Sequence, residues 1–447
     1  MNAASTNNDR IIPRNEYAQR RRRLIEQMAP DSIAIITAAP ERTRSRDTDY
    51  PYRQDSDFNY LSGFDESHAV LALIPGREHG ESVLFCRERD PARELWDGFM
   101  IGPDGAVSDY GMDDAFPISD IDDILPGLIE GRSRVYYSIG RDASFDAQVM
   151  EWVNSIRSRV RSGARPPGEF VALEHTLHDM RLYKSASEIK AMERSARISA
   201  EAHCRAMRRA QPGLREYQLE AELVHHFIDQ GAMAPAYPTI VGSGANGCIL
   251  HYIENNGVLG DGELVLIDAG CEHQGYAADI TRTFPANGRF TGEQKAVYEV
   301  VLAAQKAAIE TVRPENHWNH PHEAAVEVLS QGLLDLGLLQ GTLDEVVEQA
   351  HYRDFFMHRT GHWLGMDVHD VGDYRIGGAW RVLEPGMVMT VEPGLYISPH
   401  NRSVDERWRG IAVRIEDDIL VTRDGHRNLT TAVPREVADV EALMANE

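Results

Sequence analysis

The chain has 447 residues, of which 42% are hydrophobic and 26% are charged, a composition typical of a globular protein with room for two domains. Its 46 basic and 70 acidic side chains give a net charge of −24, and such a surface repels nucleic-acid phosphates and anionic membranes. We therefore expect neither nucleic acid nor a membrane as a partner.

The cysteines and the N-terminus both bear on the compartment. Cys86, Cys204, Cys248 and Cys271 lack the close spacing of a structural zinc site and are typical of reduced thiols rather than disulfides. Residues 1–10 are polar, and no segment approaches the ~18 uninterrupted apolar residues of a membrane span. The expected location is the cytoplasm.

The first part of the chain alternates between helical and strand-like patterns. Helices are predicted over 14–28 and about 143–159. Strand-like runs are predicted at 33–37, 69–74, 82–86 and 134–138. This alternation indicates a small α/β domain. The segment 161–170, RSGARPPGEF, has the composition of a linker, so we place one domain at 1–178 and a second at 179–447.

The second part repeats one order of elements. A helix is predicted from Ser185, which can form a capping box with Glu188, and the same signal recurs at Thr291 and Gln294. Each capping box opens a pair of helices that is followed by strands. The predicted strands lie at 239–241, 264–268 and 276–284, and then at 387–391 and 411–422. The repetition predicts an α+β domain with an internal two-fold duplication.

Two aspartates lie in apolar, β-branched runs where carboxylates are rare. Asp268 belongs to VLIDAG and Asp279 to AADITRTF, and two adjacent strands would bring both to one point. A buried carboxylate must be neutralised, hydrogen-bonded or bound to a cation. Either aspartate alone could equally be an ordinary turn or strand-end residue.

The second half of the repeat supplies further candidates. His358, His362 and His369 lie in HRTGHWLGMDVHD, and Glu392 ends an apolar strand. Arg414 and Glu416 are two positions apart on a predicted strand, so they share a face and could simply form an ion pair. For each histidine, the alternative is ordinary polar packing.

If these carboxylates and an imidazole converge, their repulsion and desolvation require cations or bound protons. Two divalent ions would cancel four carboxylate charges, and an oxygen-rich set with one nitrogen ligand suits Mn²⁺ or a similar hard or borderline ion better than zinc in a thiolate site. Paired ions can bridge a hydroxide and use it as the nucleophile. The residues alone therefore indicate a dinuclear metal hydrolase.

The stretch from His358 to Asp370 resembles the signature of the proline-directed branch of the pita-bread metallopeptidases, which includes aminopeptidase P and prolidase. The resemblance implies that Glu416 bridges two ions and that Glu392 also accepts a proton from the nucleophilic water. It extends through TIVGSGANGCILHY to the active-site residue His251. The implied metal ligands are Asp268, Asp279, His362, Glu392 and Glu416. The implied further site residues are His251, His358, His369, Tyr396 and Arg414.

The N-terminal part resembles the creatinase-like domain of aminopeptidase P, through residues 43–64 and 94–98. The resemblance implies a homotetramer or homodimer in which this domain lends residues to a neighbouring subunit's site. Trp96 is a candidate for that role, and a surface or core aromatic is the alternative. The implied reaction releases the N-terminal residue from peptides with proline in the second position. Prolidase, which takes only dipeptides, is the alternative within the family.

Two readings from other classes stay open. Residues 242–247 satisfy GxGxxG, and Asp268 lies about twenty residues downstream, as in a nicotinamide-dependent oxidoreductase. The residues that follow, CILHYIENN, favour a strand and turn over the helix that would face a phosphate. A catalytically inactive pita-bread binding module is the other reading, although such proteins usually lack some of the ligands present here.

Overall fold

The computed structural model describes residues 10–445, and their contacts divide the chain into two compact units, Ile12–Arg181 and the part from Leu182 onwards. Within residues 10–445, no helix combines the length and apolarity that crossing a bilayer requires.

The first unit is built on one mixed sheet. Its strands are β1 (Ser32–Thr37), β2 (Thr43–Ser45), β3 (Thr48–Asp49), β4 (Val70–Leu73), β5 (Ser82–Cys86), β6 (Asp114–Pro117), β7 (Arg134–Tyr136) and β8 (Glu169–Val171). Its helices are α1 (Arg14–Gln27), α2 (Ser56–Ser62), α3 (Pro91–Asp97), α4 (Gly102–Tyr110), α5 (Ile121–Ile129), α6 (Ala143–Ser158) and α7 (Glu174–Leu182). Six strands form the sheet in the order β6-β5-β4-β1-β7-β8, and β2 pairs with β3 as a separate hairpin.

The sheet of the first unit is buried between helices. Strands β1, β4 and β5 consist almost entirely of buried residues, which is typical of a sheet covered on both faces. Helices α5 and α6 contribute apolar side chains such as Leu125 and Trp152 to the same core. Since Glu169–Val171 forms β8, the linker-like segment 161–170 ends inside this sheet and does not separate two units.

The second unit contains the remaining elements. Its helices are α8 (Ala186–Arg209), α9 (Glu216–Asp229), α10 (Gly292–Glu310), α11 (His320–Asp335), α12 (Leu343–Glu348) and α13 (Val437–Ala445). Its strands are β9 (Ala234–Pro235), β10 (Ile240–Ser243), β11 (Leu264–Asp268), β12 (Cys271–His273), β13 (Tyr276–Ala277), β14 (Thr281–Pro285), β15 (Arg375–Ile376), β16 (Ala379–Trp380), β17 (Val388–Val391), β18 (Gly394–Tyr396), β19 (Ala412–Arg414), β20 (Asp417–Thr422) and β21 (Gly425–Asn428).

The duplicated order of elements is confirmed. Helices α8 and α9 precede a three-stranded antiparallel sheet, β10-β11-β14, and helices α10 and α11 precede a second one, β17-β20-β21. Both predicted capping boxes are formed, at Ser185 with Glu188 and at Thr291 with Gln294. Each satisfies backbone N–H groups that the first helical turn leaves without a partner.

Two predicted strands are interrupted where they carry acidic residues. The run 276–284 divides into β13 and β14 around Asp279, and the run 411–422 divides into β19 and β20 around Glu416. The two interrupted segments are hydrogen-bonded to each other. The N–H of Glu416 donates to the carbonyl of Thr281, and the N–H of Asp279 donates to the carboxylate of Asp418. Arg414 and Glu416 therefore do not lie on one continuous strand, which corrects the prediction from the sequence.

Candidate active site

Asp268 and Asp279 are brought together by strand pairing. Asp268 is the last residue of β11 and pairs with Thr281 at the start of β14, two positions after Asp279. Gly270 makes this approach possible, because a Cβ there would lie 1.8 Å from the carbonyl oxygen of Ala278. The predicted convergence of the two carboxylates is thus present in the structure.

His362 presents a ring nitrogen to two carboxylates. Its Nε2 lies 3.3 Å from Asp279 Oδ2 and 3.7 Å from Glu392 Oε1. Its Nδ1 lies 2.9 Å from the carbonyl oxygen of Trp363, which can only accept, so Nδ1 carries the proton. Nε2 faces carboxylate oxygens, so the arrangement requires either a second proton on this ring or a metal ion between Nε2 and the carboxylates.

Glu392 and Glu416 enter the same cluster from the second half of the domain. Glu392 follows β17, and Gly361 lets the His362 segment approach that strand, because a Cβ there would lie 2.0 Å from the carbonyl oxygen of Thr390. Glu416 is 2% exposed. Ligand atoms of Asp279, His362 and Glu416 all lie within 4.8 Å of one another, close enough to share an ion.

The cluster is too negative to be buried without bound cations or bound protons. Burial, followed by the charges of its neighbours, raises the pKa of Glu416 well above its ordinary value. Burial likewise raises the pKa of Glu392 to about 7, against the opposing effects of His362 and Arg414. Burial lowers the pKa of His362, but its bond to Asp279 and the charge of Glu392 outweigh this and raise it to about 9. Burial of these acidic groups beside one another therefore favours the binding of protons or cations.

Tyr237 joins the two aspartates and was not predicted from the sequence. Its hydroxyl contacts Asp268 Oδ1 at 2.7 Å and also Asp279 Oδ1. A phenol has one proton, so it can donate to only one of these oxygens, and the other contact requires a second proton or a cation. The donor set, rich in carboxylate oxygens with one imidazole nitrogen, therefore fits hard or borderline divalent ions.

Arg414 and Tyr396 connect the carboxylates to His358. One Arg414 nitrogen donates to Asp268 Oδ2 at 2.6 Å, and another donates to the Tyr396 hydroxyl at 2.8 Å. The Tyr396 oxygen lies 2.8 Å from His358 Nε2, and His358 Nδ1 lies 2.7 Å from the carbonyl oxygen of Arg359. Burial, reinforced by Arg414, lowers the pKa of His358 to about 3, so this ring is neutral and accepts the tyrosine proton.

One cavity of about 530 Å³ is lined by all five candidate ligands and by the other site histidines, His251, His358 and His369. The rings of His369 and His362 meet edge to face at 4.4 Å between centroids. Burial lowers the pKa of His369, and the nearby His362 and His251 add to the effect. Apolar side chains, among them Ile240 and Val368, form the rest of the wall. The cavity therefore offers an apolar pocket beside a polar, anionic floor.

Asp418 is a second residue that was not singled out. Its Oδ2 accepts the backbone N–H of Asp279 at 3.2 Å, and its Oδ1 has no hydrogen-bond partner. The sequence did carry a signal, since Asp418 is a carboxylate inside the predicted strand 411–422. For Tyr237, in APAYPTI, the sequence carries no comparable signal.

Other predicted features lie elsewhere or fold differently. After β10, residues 244–248 form a 3₁₀ turn and no α-helix follows, so neither the dinucleotide-binding context nor the predicted strand after Gly247 is present. Trp96 lies on α3 and is 89% exposed.

His317, His320 and Glu323 form a second group with metal-binding side chains, but the two rings stack in parallel, and each Nδ1 accepts a backbone N–H.

Two family models match the chain. The model of metallopeptidase family M24 matches residues 190–423, and the model of the aminopeptidase P N-terminal domain matches residues 17–136. These matches confirm the predicted fold class, with a creatinase-like domain followed by a pita-bread domain.

Curated relatives and solved structures agree with the family models. The Xaa-Pro aminopeptidase of Escherichia coli is 48% identical over 97% of this chain and 98% of its own length, and that of Haemophilus influenzae is 42% identical over 97% and 98%. The structure of Pseudomonas aeruginosa aminopeptidase PepP has a TM-score of 0.96 and 63% identity, covering 97% of this chain and 98% of that one. The chain therefore belongs to metallopeptidase family M24, among its Xaa-Pro aminopeptidases.

Proposed function

We propose that this aminopeptidase hydrolyses the bond before a penultimate proline with two divalent metal ions. The observation that carries the proposal is the buried cluster in which carboxylate oxygens lie around Nε2 of one imidazole. The proposed ligands are Asp268, Asp279, His362, Glu392 and Glu416. When bound, the ions would activate a water molecule as the nucleophile and polarise the scissile carbonyl.

Mn²⁺ is the metal we propose. Four of the five ligands offer carboxylate oxygens, which favour hard ions, and none of the described residues lining the cavity is a cysteine. A site closed by thiolates would instead favour zinc.

Glu392 is the proposed proton acceptor. Its carboxylate lines the cavity beside the other proposed ligands, with Oε1 3.7 Å from His362 Nε2, so it is placed to accept a proton from water activated there. Its Oε2 lies 3.9 Å from His358 Nδ1, so it faces the histidine side of the cavity as well as the metal ligands. It can therefore move a proton between the attacking water and the departing proline nitrogen.

The cavity suits the two distinguishing properties of the substrate. An Xaa-Pro bond has no N–H on the proline side, so the site must act without gripping that donor. The free amine of the substrate offers a nitrogen lone pair in its neutral form, and one of the two ions would bind it there. We propose that His251, His358 and His369 enclose the proline ring and the scissile carbonyl, with His369 stabilising the oxyanion. Tyr396 and Arg414 hold His358 and Asp268 in place.

We also propose a homotetramer or homodimer and a cytoplasmic location. On α3 no residue is buried, and Leu95 and Trp96 are 86% and 89% exposed, an apolar surface suited to contact with another subunit. The four cysteines are all free, which suits a reducing compartment.

Hydrolysis of Arg-Pro-Pro and Gly-Pro, before and after chelation, tests the proposal. We expect arginine release from the tripeptide to stop after EDTA treatment and to return with Mn²⁺. Zn²⁺ in a parallel sample tests metal preference. Cleavage of the dipeptide alone would favour prolidase, and full activity in metal-free protein would exclude the metal mechanism.

A further inference from the structure

A loop between β10 and β11 forms part of the wall of the catalytic cavity. We call residues 244–257 the cavity loop, and its Leu250, His251 and Ile253 line the cavity. His251 is exposed, and within residues 10–445 no hydrogen bond holds its ring. The position of this ring therefore depends on the conformation of the loop that carries it.

Glu216 binds the cavity loop from the neighbouring helix. It is the first residue of α9 and is completely buried. Its Oε1 accepts the N–H of Ser243 at 2.8 Å and the side-chain amide of Asn246 at 2.9 Å. Its Oε2 accepts the hydroxyl of Tyr252 at 2.8 Å and the N–H of Gly257 at 2.6 Å. A carboxylate offers about four acceptor positions, so these donors saturate it.

The donors are spread over the whole length of the loop. Ser243 immediately precedes the loop and Gly257 is its last residue, while Tyr252 lies in between. The backbone N–H of Glu216 also donates to the carbonyl of Gly257, at 3.0 Å. Gly257 permits this close approach, because a Cβ there would lie 2.9 Å from both carboxylate oxygens. One buried carboxylate therefore fixes both ends of the loop and the residue that directly follows His251.

The glycine-rich run 242–247 takes part in this arrangement. A Cβ on Gly242 would lie 2.8 Å from the backbone nitrogen of Gly247, so the turn can close only with glycine at this position. Asn246 lies within the turn and donates its side-chain amide to Glu216. The run thus gives the Glu216 carboxylate a partner, which accounts for the motif without a dinucleotide.

We propose that Glu216 is a positioning residue, which holds His251 in the cavity by fixing the cavity loop. The inference rests on the proposed function, in which His251 contacts the substrate. Glu216 does not line the cavity, so it acts through the loop and not on the peptide. Hydrogen bonds to an ionised acceptor are about twice as strong as neutral ones. The loop, and with it His251, is consequently held in place before the substrate arrives.

Replacement of Glu216 by glutamine tests this role. Glu216→Gln keeps the size of the side chain but replaces an acceptor oxygen with a donor group, so at least one loop donor loses its partner. With the Mn²⁺-loaded enzyme, we expect kcat/KM for Arg-Pro-Pro to fall about tenfold, because unsatisfied buried donors favour an open loop. Glu222→Gln is the matched control, since Glu222 lies on the same helix and pairs with Arg205 at 2.6 Å instead of with the loop. It should change kcat/KM by less than about twofold.

The same substitution in a His251→Ala background separates positioning from a general effect on stability. If Glu216 acts through His251, Glu216→Gln should lower kcat/KM of His251→Ala by less than about twofold, because the effects of coupled residues are not additive. An equal loss in both backgrounds would overturn the inference. Loss of activity in His251→Ala without loss in Glu216→Gln would also overturn it, while leaving the proposed function intact. Full activity in His251→Ala would contradict the role proposed for His251 and the inference with it.

Amide hydrogen exchange of the metal-free protein measures the loop without turnover. Amides in 244–257, including that of Gly257, should exchange about tenfold faster in Glu216→Gln than in wild type or Glu222→Gln, because local opening becomes easier. Tyr252→Phe removes one donor and adds no polar group, so it should give a smaller increase and replaces Glu216→Gln if that variant does not fold. Unchanged exchange in the loop would overturn the inference even if the wild type hydrolyses Arg-Pro-Pro. If the wild type does not hydrolyse Arg-Pro-Pro, the proposed function fails, and the exchange still decides whether Glu216 fixes the loop.

Discussion

Replacement of Glu416 by glutamine should stabilise the metal-free protein. Glu416 is buried, accepts a 2.6 Å hydrogen bond from the hydroxyl of Thr281, and faces the charges of Asp279, Glu392 and Asp268. Because its pKa in the folded protein is well above the ordinary value, folding of the metal-free protein favours the protonated form of this carboxyl. A glutamine has nearly the same shape as the protonated acid and needs no proton.

The magnitude follows from the pKa of the unfolded chain. The ordinary value for Glu416 is 4.5. Protonating such a carboxyl costs about 1.36 kcal/mol for each pH unit above that value, which sets an upper limit of about 3 kcal/mol on the gain at pH 7. Because the folded-state pKa is raised, the contribution of Glu416 to the free energy of unfolding is fully present below pH 4.5 and is lost as the pH rises. The gain from Glu416→Gln should consequently be near zero at pH 4.5 and largest at pH 7.

Thermal melts of EDTA-treated protein at pH 5 and pH 7 provide the assay. Since about 1 kcal/mol shifts the Tm of a unit of this size by about 2–4 °C, the variant should melt several degrees higher at pH 7 and within about 2 °C of wild type at pH 5. With Mn²⁺ added, the order should reverse, because the variant has lost a ligand. A metal-free variant that is less stable at pH 7 would refute the reasoning.

The neighbouring Asp417 offers a matched control. It is buried like Glu416, but it has a cationic partner, with Oδ1 at 2.7 Å from an Arg282 nitrogen. The side chains of Asp417 and Arg282 are each 1% exposed. Asp417→Asn would leave Arg282 buried without its counter-charge and should destabilise the protein by about 3–5 kcal/mol, with or without metal. If Glu416→Gln raises the stability of the metal-free protein and Asp417→Asn lowers it, missing cations rather than burial explain the effect at Glu416.

Three further substitutions test other parts of the site. Tyr237→Phe should lower Mn²⁺ affinity by about 10–100-fold in calorimetry, since it removes the hydroxyl that orients two ligands, and unchanged affinity would exclude that role. His369→Ala should reduce kcat by about 10²-fold or more if the ring stabilises the oxyanion, and a tenfold change confined to KM would reject this. Lys184→Met removes the ammonium group that lies 2.9 Å from the buried carboxylate of Asp370. Urea titration should show a loss of about 3–5 kcal/mol that Asp370→Leu partly restores, and a loss below about 1 kcal/mol would contradict the importance of this pair.

Local signals in the sequence predicted much of this fold. The capping box of Ser185 and Glu188 involves residues three positions apart, and the strand 264–268 is a continuous apolar run. Asp268 and Asp279 stood out because carboxylates are costly in such runs whatever the tertiary fold. The duplicated order of helices and strands could likewise be read from periodicity.

Features that depend on distant contacts were missed. Tyr237 acquires its role only by meeting Asp268 and Asp279, which lie 31 and 42 positions along the chain. The strands are interrupted around Asp279 and Glu416 because these two segments hydrogen-bond to each other. The sequence of either segment alone therefore does not predict the interruption. Metal chemistry could be inferred from residue types, whereas the tyrosine and the strand breaks required the coordinates.

The central claim is that five residues bind two metal ions in one cavity. Crystals grown with Mn²⁺ and measured at the manganese absorption edge test it most directly, because anomalous scattering locates the ions independently of activity. We predict two peaks among the carboxylates of Asp268, Asp279, Glu392 and Glu416, with His362 bound to one of them. A single peak there, or peaks only at His317, His320 and Glu323, would contradict the proposed dinuclear site.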